Sequence, residues 1–447
     1  MNFQESVRYL LSLGRELAAP TQATAAKFNL ENITLLADRL GHPERKYPLV
    51  HIAGTNGKGS TAAILESILR HAGYRTGLYT SPHLERINER VRVNGEEIPD
   101  EAFASVFSRI QASIEGLLAS GTLRAHPTFF ECVTAIAFAY FAEARVEFAI
   151  FETGLGGRLD STNIVTPRAS IITRVEFDHE NFLGHSLQEI AGEKAGIIKS
   201  GVPVILAGQR EEVREVLLNR ARKLNAPVIE TTAAFRIESQ EMVAGRARAT
   251  VREIETGSRF EVAPQLSGRF QLQNALNAVA AAGVLRSKDF RISDSDIEKG
   301  IAKAAWPGRI EKVDRDPDIY LDGAHNPSAA RELAAFLDEN FRDRKLIMIF
   351  GALRDKAVDE IAGILFPRAT EVIFTEPQTS RAISALQLAE IAGHHAAHFK
   401  IIPDAEKALH AALTRAAALD VICITGSLYL VGQLRHHWHR GAQARGR

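Results

Sequence analysis

Short continuous apolar runs recur along this chain, and most are followed by a stretch whose apolar positions repeat at helical spacing. Tyr47 to Ile52 predicts a strand behind a Pro-containing turn. Thr61 to Ala72 predicts a helix with Ile64, Leu65, Ile68 and Leu69 on one face and Gly73 as its stop. Thr76 to Ser81 predicts a second strand, and Thr128 to Ala144 a long helix with Phe129, Phe130 and Glu131 in its first turn. Phe148 to Phe151 reads as a buried strand ending on Glu152, and Ile171 to Val175 as another leading into Asp178-His179. The next helix opens with a capping box, Ser186 and Glu189, and its apolar face carries Ile190, Ala191, Ile197 and Ile198. Residues 1 to about 45 read as helical, with Val7, Leu10, Leu11, Leu17, Ile33, Leu36 and Leu40 as the apolar positions.

The texture changes at residues 231 to 265, where alternating runs such as Arg246 to Val251 predict a small antiparallel β insert. Helix returns over Phe270 to Leu285. Trp306-Pro307-Gly308-Arg309 marks a hinge or boundary, after which the strand–helix alternation restarts. Strands are expected at Ile319–Asp322, Leu346–Phe350, Val372–Thr375, Lys400–Ile402 and Val421–Thr425, with a helix after each. The predicted fold is α/β: a mostly parallel P-loop-type sheet domain over residues 1–303, carrying the insert, and a smaller Rossmann-like α/β domain over 304–447.

Composition narrows the function classes. A chain of 447 residues exceeds one core, and its 45% apolar content suits ordinary globular burial. The 54 acids balance 54 bases, so no global charge draws it to nucleic acid or anionic membrane. Cys132 and Cys423 sit far apart in apolar runs, which suits buried thiols in a reducing compartment. The N-terminus lacks a signal-peptide core and no apolar run is long enough to cross a bilayer, so a cytoplasmic protein is expected.

The chemistry gathers first at Gly54-Thr55-Asn56-Gly57-Lys58-Gly59-Ser60, between the first predicted strand and its helix. Glycines let the backbone curl around an anion, Lys58 supplies a cation for outer phosphates, and Ser60 or Thr61 a hydroxyl for Mg²⁺. Gly59 between Lys58 and Ser60 departs from the usual spacing, and a glycine turn that binds nothing is the plain alternative. Glu152, at the carboxyl end of an apolar strand beside such a loop, stands where nucleotide enzymes hold Mg²⁺. The stretch it opens, Glu152 to Asn163, imitates a dinucleotide fingerprint. No acid-terminated second strand follows at the right distance, so it reads as a glycine-rich active-site loop. Lys194 falls on the apolar face of the helix capped by Ser186. There it either snorkels or pairs with Glu193 or Glu189, or it is a lysine held neutral or modified beside a metal. Gln271, Gln273, Asn274 and Asn277 are helix-interior amides that could be filler or could read an adenine edge. The terminal His436-His437-Trp438-His439 reads as a solvated helix end.

Seven motifs occur in order: His51 to Ser60; Thr80 to Leu84 with Asn88-Glu89-Arg90; Glu152 to Asn163; Asp178-His179; Glu193 to Gly196; Trp306 to Arg309; and Leu321 to Pro327. Together they resemble the folylpolyglutamate synthase/dihydrofolate synthase family of the Mur ligase superfamily, over nearly the whole chain. The resemblance implies ATP-dependent addition of L-glutamate to a folate carboxylate through an acyl phosphate, with dihydropteroate as a further acceptor. It implies that Lys58 and Ser60 hold phosphates, and that Ser81 and Glu152 bind one Mg²⁺. A second Mg²⁺ would lie among Glu152, His179 and a carbamylated Lys194. Asn274, Arg309 and Asp322 would contact the nucleotide, with His325 near the phosphates. Arg90 and Ser427 would hold the incoming glutamate, and Phe130, Asp160 and Ser161 the pterin side. The loop Gly351 to Lys356 continues with Ala357 where a second acid is expected, and it is assigned no role. Ser161 stands where a bifunctional relative carries Ala. Small-molecule substrates, no nucleic acid, no membrane and a monomer complete the expectation. A P-loop ATPase or binding module would leave the second domain and Lys194 unexplained, and a metal hydrolase would leave Lys58 idle.

Overall fold

The computed structural model describes residues 1–14 and 29–445, residues 439–445 as backbone alone. Leu17 lies outside the described residues, as does the side chain of His439. The other N-terminal apolar positions fall on or beside two short helices, Phe3–Ser12 and Glu31–Arg39.

The first domain is built on eight strands: β1 (Leu49–Ala53), β2 (Thr76–Tyr79), β3 (Val91–Val93), β4 (Glu96–Glu97), β5 (Phe148–Glu152), β6 (Ala169–Ile172), β7 (Val204–Leu206) and β8 (Val228–Glu230). Their spatial order is β4-β3-β2-β5-β1-β6-β7-β8. All pairs are parallel except β2–β3 and β3–β4, so an antiparallel hairpin closes one edge. β1 and β5 are buried at every position, which is why they read as continuous apolar runs rather than alternating ones.

The helix Lys58–His71 leaves β1 through the glycine loop and packs Ile64, Leu65 and Ile68 against the helix Gln271–Arg286. The predicted insert is a three-stranded antiparallel sheet, β9 (Phe235–Val243), β10 (Arg246–Glu253) and β11 (Arg259–Val262), in the order β11-β10-β9. β10 alternates buried Ala247, Ala249 and Val251 with exposed arginines and threonine, and its apolar face joins the core of the helix Lys58–His71.

The second domain carries β12 (Glu311–Asp314), β13 (Asp318–Leu321), β14 (Leu346–Phe350), β15 (Glu371–Glu376), β16 (Phe399–Asp404) and β17 (Val421–Thr425), in the order β12-β13-β17-β14-β15-β16. Only the β12–β13 pair among them is antiparallel, and the rest form a Rossmann-like parallel sheet. β12 escapes the sequence pattern because its four residues include two acids and a lysine on an edge. The terminal histidine run differs from expectation as well. His436 and His437 are exposed, but Trp438 is 9% exposed and donates its indole N–H to Asp314 at 3.1 Å, pinning the last helix to that edge.

Among the described residues, no helix is long and apolar enough to cross a membrane.

Candidate active site

In open α/β sheets, ligand-binding loops gather at the carboxyl ends of parallel strands. Here the loops after β1, β2, β5 and β6 meet those after β13 and β17 across a cavity of about 480 Å³.

The glycine loop takes a shape other residues could not. Gly54 has φ +149°, and a Cβ there would stand 1.8 Å from Thr173 Oγ1. Gly57 has φ +89°, with its Cβ position 2.3 Å from Asn274 Oδ1. The amides of Thr55 and Asn56 donate to the Arg174 carbonyl, tying the loop to the end of β6. Gly57 caps the helix Lys58–His71, so the helix N-terminus opens on the cavity that Gly54 to Ser60 line. Lys58 Nζ donates to the carbonyls of Gly54 and Thr55 at 3.1 and 3.2 Å and lies 4.0 Å from Glu152 Oε1.

Glu152 is buried, and burial lifts its carboxyl to about 7 against the pull of Lys58, Arg309 and the Ser81 amide. That amide donates to Glu152 Oε2 at 3.4 Å. A carboxylate this poorly compensated, with Ser81 and Ser60 on the same cavity wall, fits an oxygen-ligated divalent cation.

Lys194 neither snorkels nor pairs with a neighbouring acid. It is 4% exposed, and its Nζ donates to Gly54 O at 2.9 Å; Glu193 is held by Arg158, and Glu189 serves the cap of its own helix. Burial, with the Lys58 charge beside it, brings its amine down to about 7.

His179, at φ +52°, lies between the domains. Burial brings its imidazole down to about 4, and its Nδ1 is buried without a hydrogen-bond partner. Asp355 Oδ2, 3.9 Å away, likewise has no hydrogen-bond partner, with the Lys356 ammonium 3.7 Å from it. The two orphaned atoms offer a nitrogen and an oxygen to a cation, although an imidazole suits Mg²⁺ less well than oxygen ligands do. Acid and imidazole side chains alone do not close a site around Glu152 and His179. Among the described residues, the triplet with mutually adjacent ligand atoms is Asp359, His394 and His395, on the surface of the second domain.

From the second domain come Asp322 and His325, on the loop after β13. Asp322 accepts from the amides of Ile310 and Ala324, and His325 Nδ1 sits 2.7 Å from Gly323 O, which leaves Nε2 3.6 Å from Asp178 Oδ2. Arg309 lines the same cavity, and so does Asn274, whose amide donates to Gln271.

Five candidates stand behind this wall rather than on it. Arg90 is 2% exposed, with its Nε donating to His83 Nδ1 at 2.8 Å and its guanidinium over Phe129. Phe130 packs against Gly154, and Asp160 braces that glycine loop from behind by accepting the amides of Gly154 and Leu155. Ser161 Oγ pairs with Thr134 at 2.8 Å, and Ser427 Oγ accepts from the Tyr429 amide.

The structure also adds residues that sequence reasoning passed over. Lys356, in the loop assigned no role, donates to Asp178 Oδ1 at 2.6 Å across the domain boundary. Asp355 is held by Arg381. Burial alone would push Asp178 up, but the imidazole of His325 and the ammonium of Lys356 hold it well below the usual carboxylate range. The adjacent Asp-Lys pair in a strand-end loop was the available signal; the missing acid at 357 masked it. Trp306, read from sequence only as part of the hinge, packs its indole on Gly59.

A glycine loop and buried acid on one α/β domain, facing a Rossmann-like domain with its own acid and histidine, define a two-domain Mur-type ligase. The family model of the Mur ligase middle domain matches residues 52–282, and that of the Mur ligase glutamate ligase domain matches residues 308–428. The chain is 37% identical over 414 residues to the dihydrofolate synthase/folylpolyglutamate synthase of Bacillus subtilis, covering 92% of this chain and 94% of that protein. It is 32% identical to the folylpolyglutamate synthase of Lacticaseibacillus casei, over 97% and 98% of the two chains. A Mycobacterium tuberculosis folylpolyglutamate synthase complexed with ADP superposes with a TM-score of 0.89 at 30% identity, covering 98% of each chain. The chain belongs to the folylpolyglutamate synthase/dihydrofolate synthase family of the Mur ligases.

Proposed function

We propose that this chain joins the amino group of L-glutamate to a folate carboxylate at the expense of ATP, making folate polyglutamates and, from dihydropteroate, dihydrofolate. The observation that carries the proposal is the facing of the Lys58 loop, Glu152 and Asp178 by Asp322 and His325 of the second domain across one cavity, with Lys356 bonded to Asp178 beside it. An ATPase or binding module has no use for the second domain's side of that cavity.

Amide formation from a carboxylate needs activation. A carboxylate oxygen attacks the γ-phosphorus, ADP leaves, and the resulting acyl phosphate is attacked at carbon by the glutamate amine; phosphate departs as the tetrahedral adduct collapses. In this reading the amides of Gly54 to Ser60 and the Lys58 ammonium hold and neutralise the phosphates. Asn274, Arg309 and Asp322 hold the nucleotide, and His325 lies near the phosphates. Mg²⁺, when bound at Ser60, Ser81 and Glu152, and at Glu152, His179 and Lys194, would supply charge neutralisation to the transferring phosphoryl group. Lys194 is read as carbamylated: a neutral buried amine is the form that adds CO₂, and the carbamate presents oxygens where an ammonium would repel a cation. Phe130, Asp160 and Ser161 belong to the pterin side, and Arg90 and Ser427 to the glutamate side after a rearrangement that uncovers them.

The same reading divides the chain into ligase domains at residues 303/304 and makes it a cytoplasmic monomer, in keeping with two buried free thiols. The test is ADP release measured with glutamate and folate supplied separately and together, using tetrahydrofolate and dihydropteroate in parallel. Release that depends on all three substrates supports the ligase; release without glutamate or folate returns the chain to the ATPase reading. Removal and readdition of bicarbonate tests the carbamate, and mass analysis of an active enzyme with unmodified Lys194 overturns it.

A further inference from the structure

His51 is a titratable group that the mechanism above does not use. It stands in the middle of β1, is fully buried, and its Nε2 lies 2.8 Å from Thr162 Oγ1. Thr162 in turn donates both its hydroxyl and its amide to Asp160 Oδ1, at 2.5 and 3.0 Å. The other carboxylate oxygen accepts the amides of Gly154 and Leu155 at 2.8 and 2.9 Å. A hydroxyl has one proton. Because the Thr162 proton goes to the carboxylate, its oxygen is left to accept, and the partner within reach is an N–H on His51 Nε2. That requires the Nε2–H tautomer with a bare Nδ1, and Nδ1 is indeed buried with no hydrogen-bond partner. Burial, with the Lys199 charge nearby, brings this imidazole down to about 3, so it stays neutral throughout the working range.

The relay therefore runs from the central strand through Thr162 and Asp160 to the backbone of Gly154 and Leu155. Gly154 and Leu155 line the cavity, and Gly154 backs onto the ring of Phe130, where a Cβ would come within 2.4 Å of Cζ. We propose that His51 is a positioning residue for the folate acceptor: by donating through Nε2 it orients the Thr162 hydroxyl, which locks Asp160 and the glycine wall that Phe130 supports. The inference rests on reading Phe130, Asp160 and Ser161 as the pterin side of the site. The phosphate loop begins three residues later, directly after β1, yet its Thr55 and Asn56 amides bond Arg174 and none of its hydrogen bonds runs through this relay. The acceptor should thus feel the loss of His51 while ATP does not.

The test is steady-state kinetics on His51→Leu, His51→Gln and Thr162→Val, with Asp160→Asn alongside. Losing a buried neutral hydrogen bond and misdirecting the hydroxyl should raise KM for the folate about tenfold in His51→Leu and Thr162→Val, with KM for ATP unchanged. His51→Gln, whose amide nitrogen reaches the Nε2 position, should recover most of that loss. The double variant should be no worse than either single one, since both break the same chain. In ¹⁵N spectra the His51 signals, assigned by their loss in His51→Gln, should show the Nε2–H tautomer. Equal rises in KM for ATP and folate, failure of glutamine to rescue, or an Nδ1–H tautomer would overturn the proposal. If His51→Leu does not fold, Thr162→Val and the tautomer still decide. An Asp160→Asn variant with unchanged KM for folate would instead refute the pterin-side reading, whereas a rise there with none in Thr162→Val would refute the relay alone.

Discussion

Lys58 and Lys194, 136 positions apart, direct their amines at one carbonyl oxygen: Gly54 O accepts from Lys58 Nζ at 3.1 Å and from Lys194 Nζ at 2.9 Å. Burial, and then the Lys58 charge beside it, bring the Lys194 amine down to about 7. The electrostatics of the glycine loop therefore depend on a helix that the loop's own sequence does not mention.

Stability should register that sharing. Lys194 titrates near 7 in the folded chain against an ordinary value of 10.5, so between those values the unfolded chain binds a proton that the folded one has released. Stability must then rise with pH across the window, by up to about 1.4 kcal/mol per pH unit, and carry the full penalty of the buried cation below about pH 7. Urea unfolding of the wild type minus Lys194→Met, in CO₂-free buffer at pH 6, 8 and 9.5, should show this climb. A flat difference would mean that the amine is not desolvated.

Lys58→Ala should cost roughly 100-fold or more in ligation, the scale of removing a charge-stabilising group from a closed site. Its Nζ bonds are to loop carbonyls, so far-ultraviolet circular dichroism should not change. Near-normal product formation would mean that the glycine turn is structural.

Gly59→Ala would place a methyl 2.6 Å from Trp306 Nε1. The indole must move, and overpacking of this kind costs about 1–3 kcal/mol. Tryptophan emission should shift and nucleotide affinity should fall, because Trp306 belongs to the hinge segment beside Arg309. Unaltered emission would show that the contact gives way elsewhere.

Lys356→Met should favour an open arrangement of the domains. The Lys356–Asp178 pair spans them with both side chains at 10% exposure or less, and removing Lys356 leaves the buried Asp178 charge to His325 and Asn326, at a cost of up to about 3–5 kcal/mol. Opening rehydrates Asp178, so the radius of gyration from small-angle scattering should increase. The double variant Lys356→Met/Asp178→Asn should close again. An unchanged radius in the single variant would argue that other contacts, such as Arg435 with Glu85 and Glu311, suffice to hold the domains.

What the chain by itself determined is local. Continuous apolar runs, helical spacing and cap residues report what a segment buries and where it starts, so β5, β14, β17, the helix Phe129–Glu143 and the Ser186 cap were legible from residues alone. The glycine loop was legible too, because few sequences other than Gly-x-x-Gly-Lys can turn from β1 into a helix at those dihedral angles. Elements without a pattern were not: β4 has two exposed residues, and β12 is a charged edge. Tertiary structure alone decided who meets whom. Strand order places β5 and β6 on either side of β1, and that brings Glu152 to Lys58 and Lys194 to Gly54. Domain docking brings Lys356 to Asp178 across 178 positions, and packing within the first domain, against His83 and Phe129, leaves Arg90 behind the cavity wall. A side chain's partner depends on which strand ends lie side by side, and periodicity carries no information about that; the charge on Lys194 is therefore a property of the assembled fold.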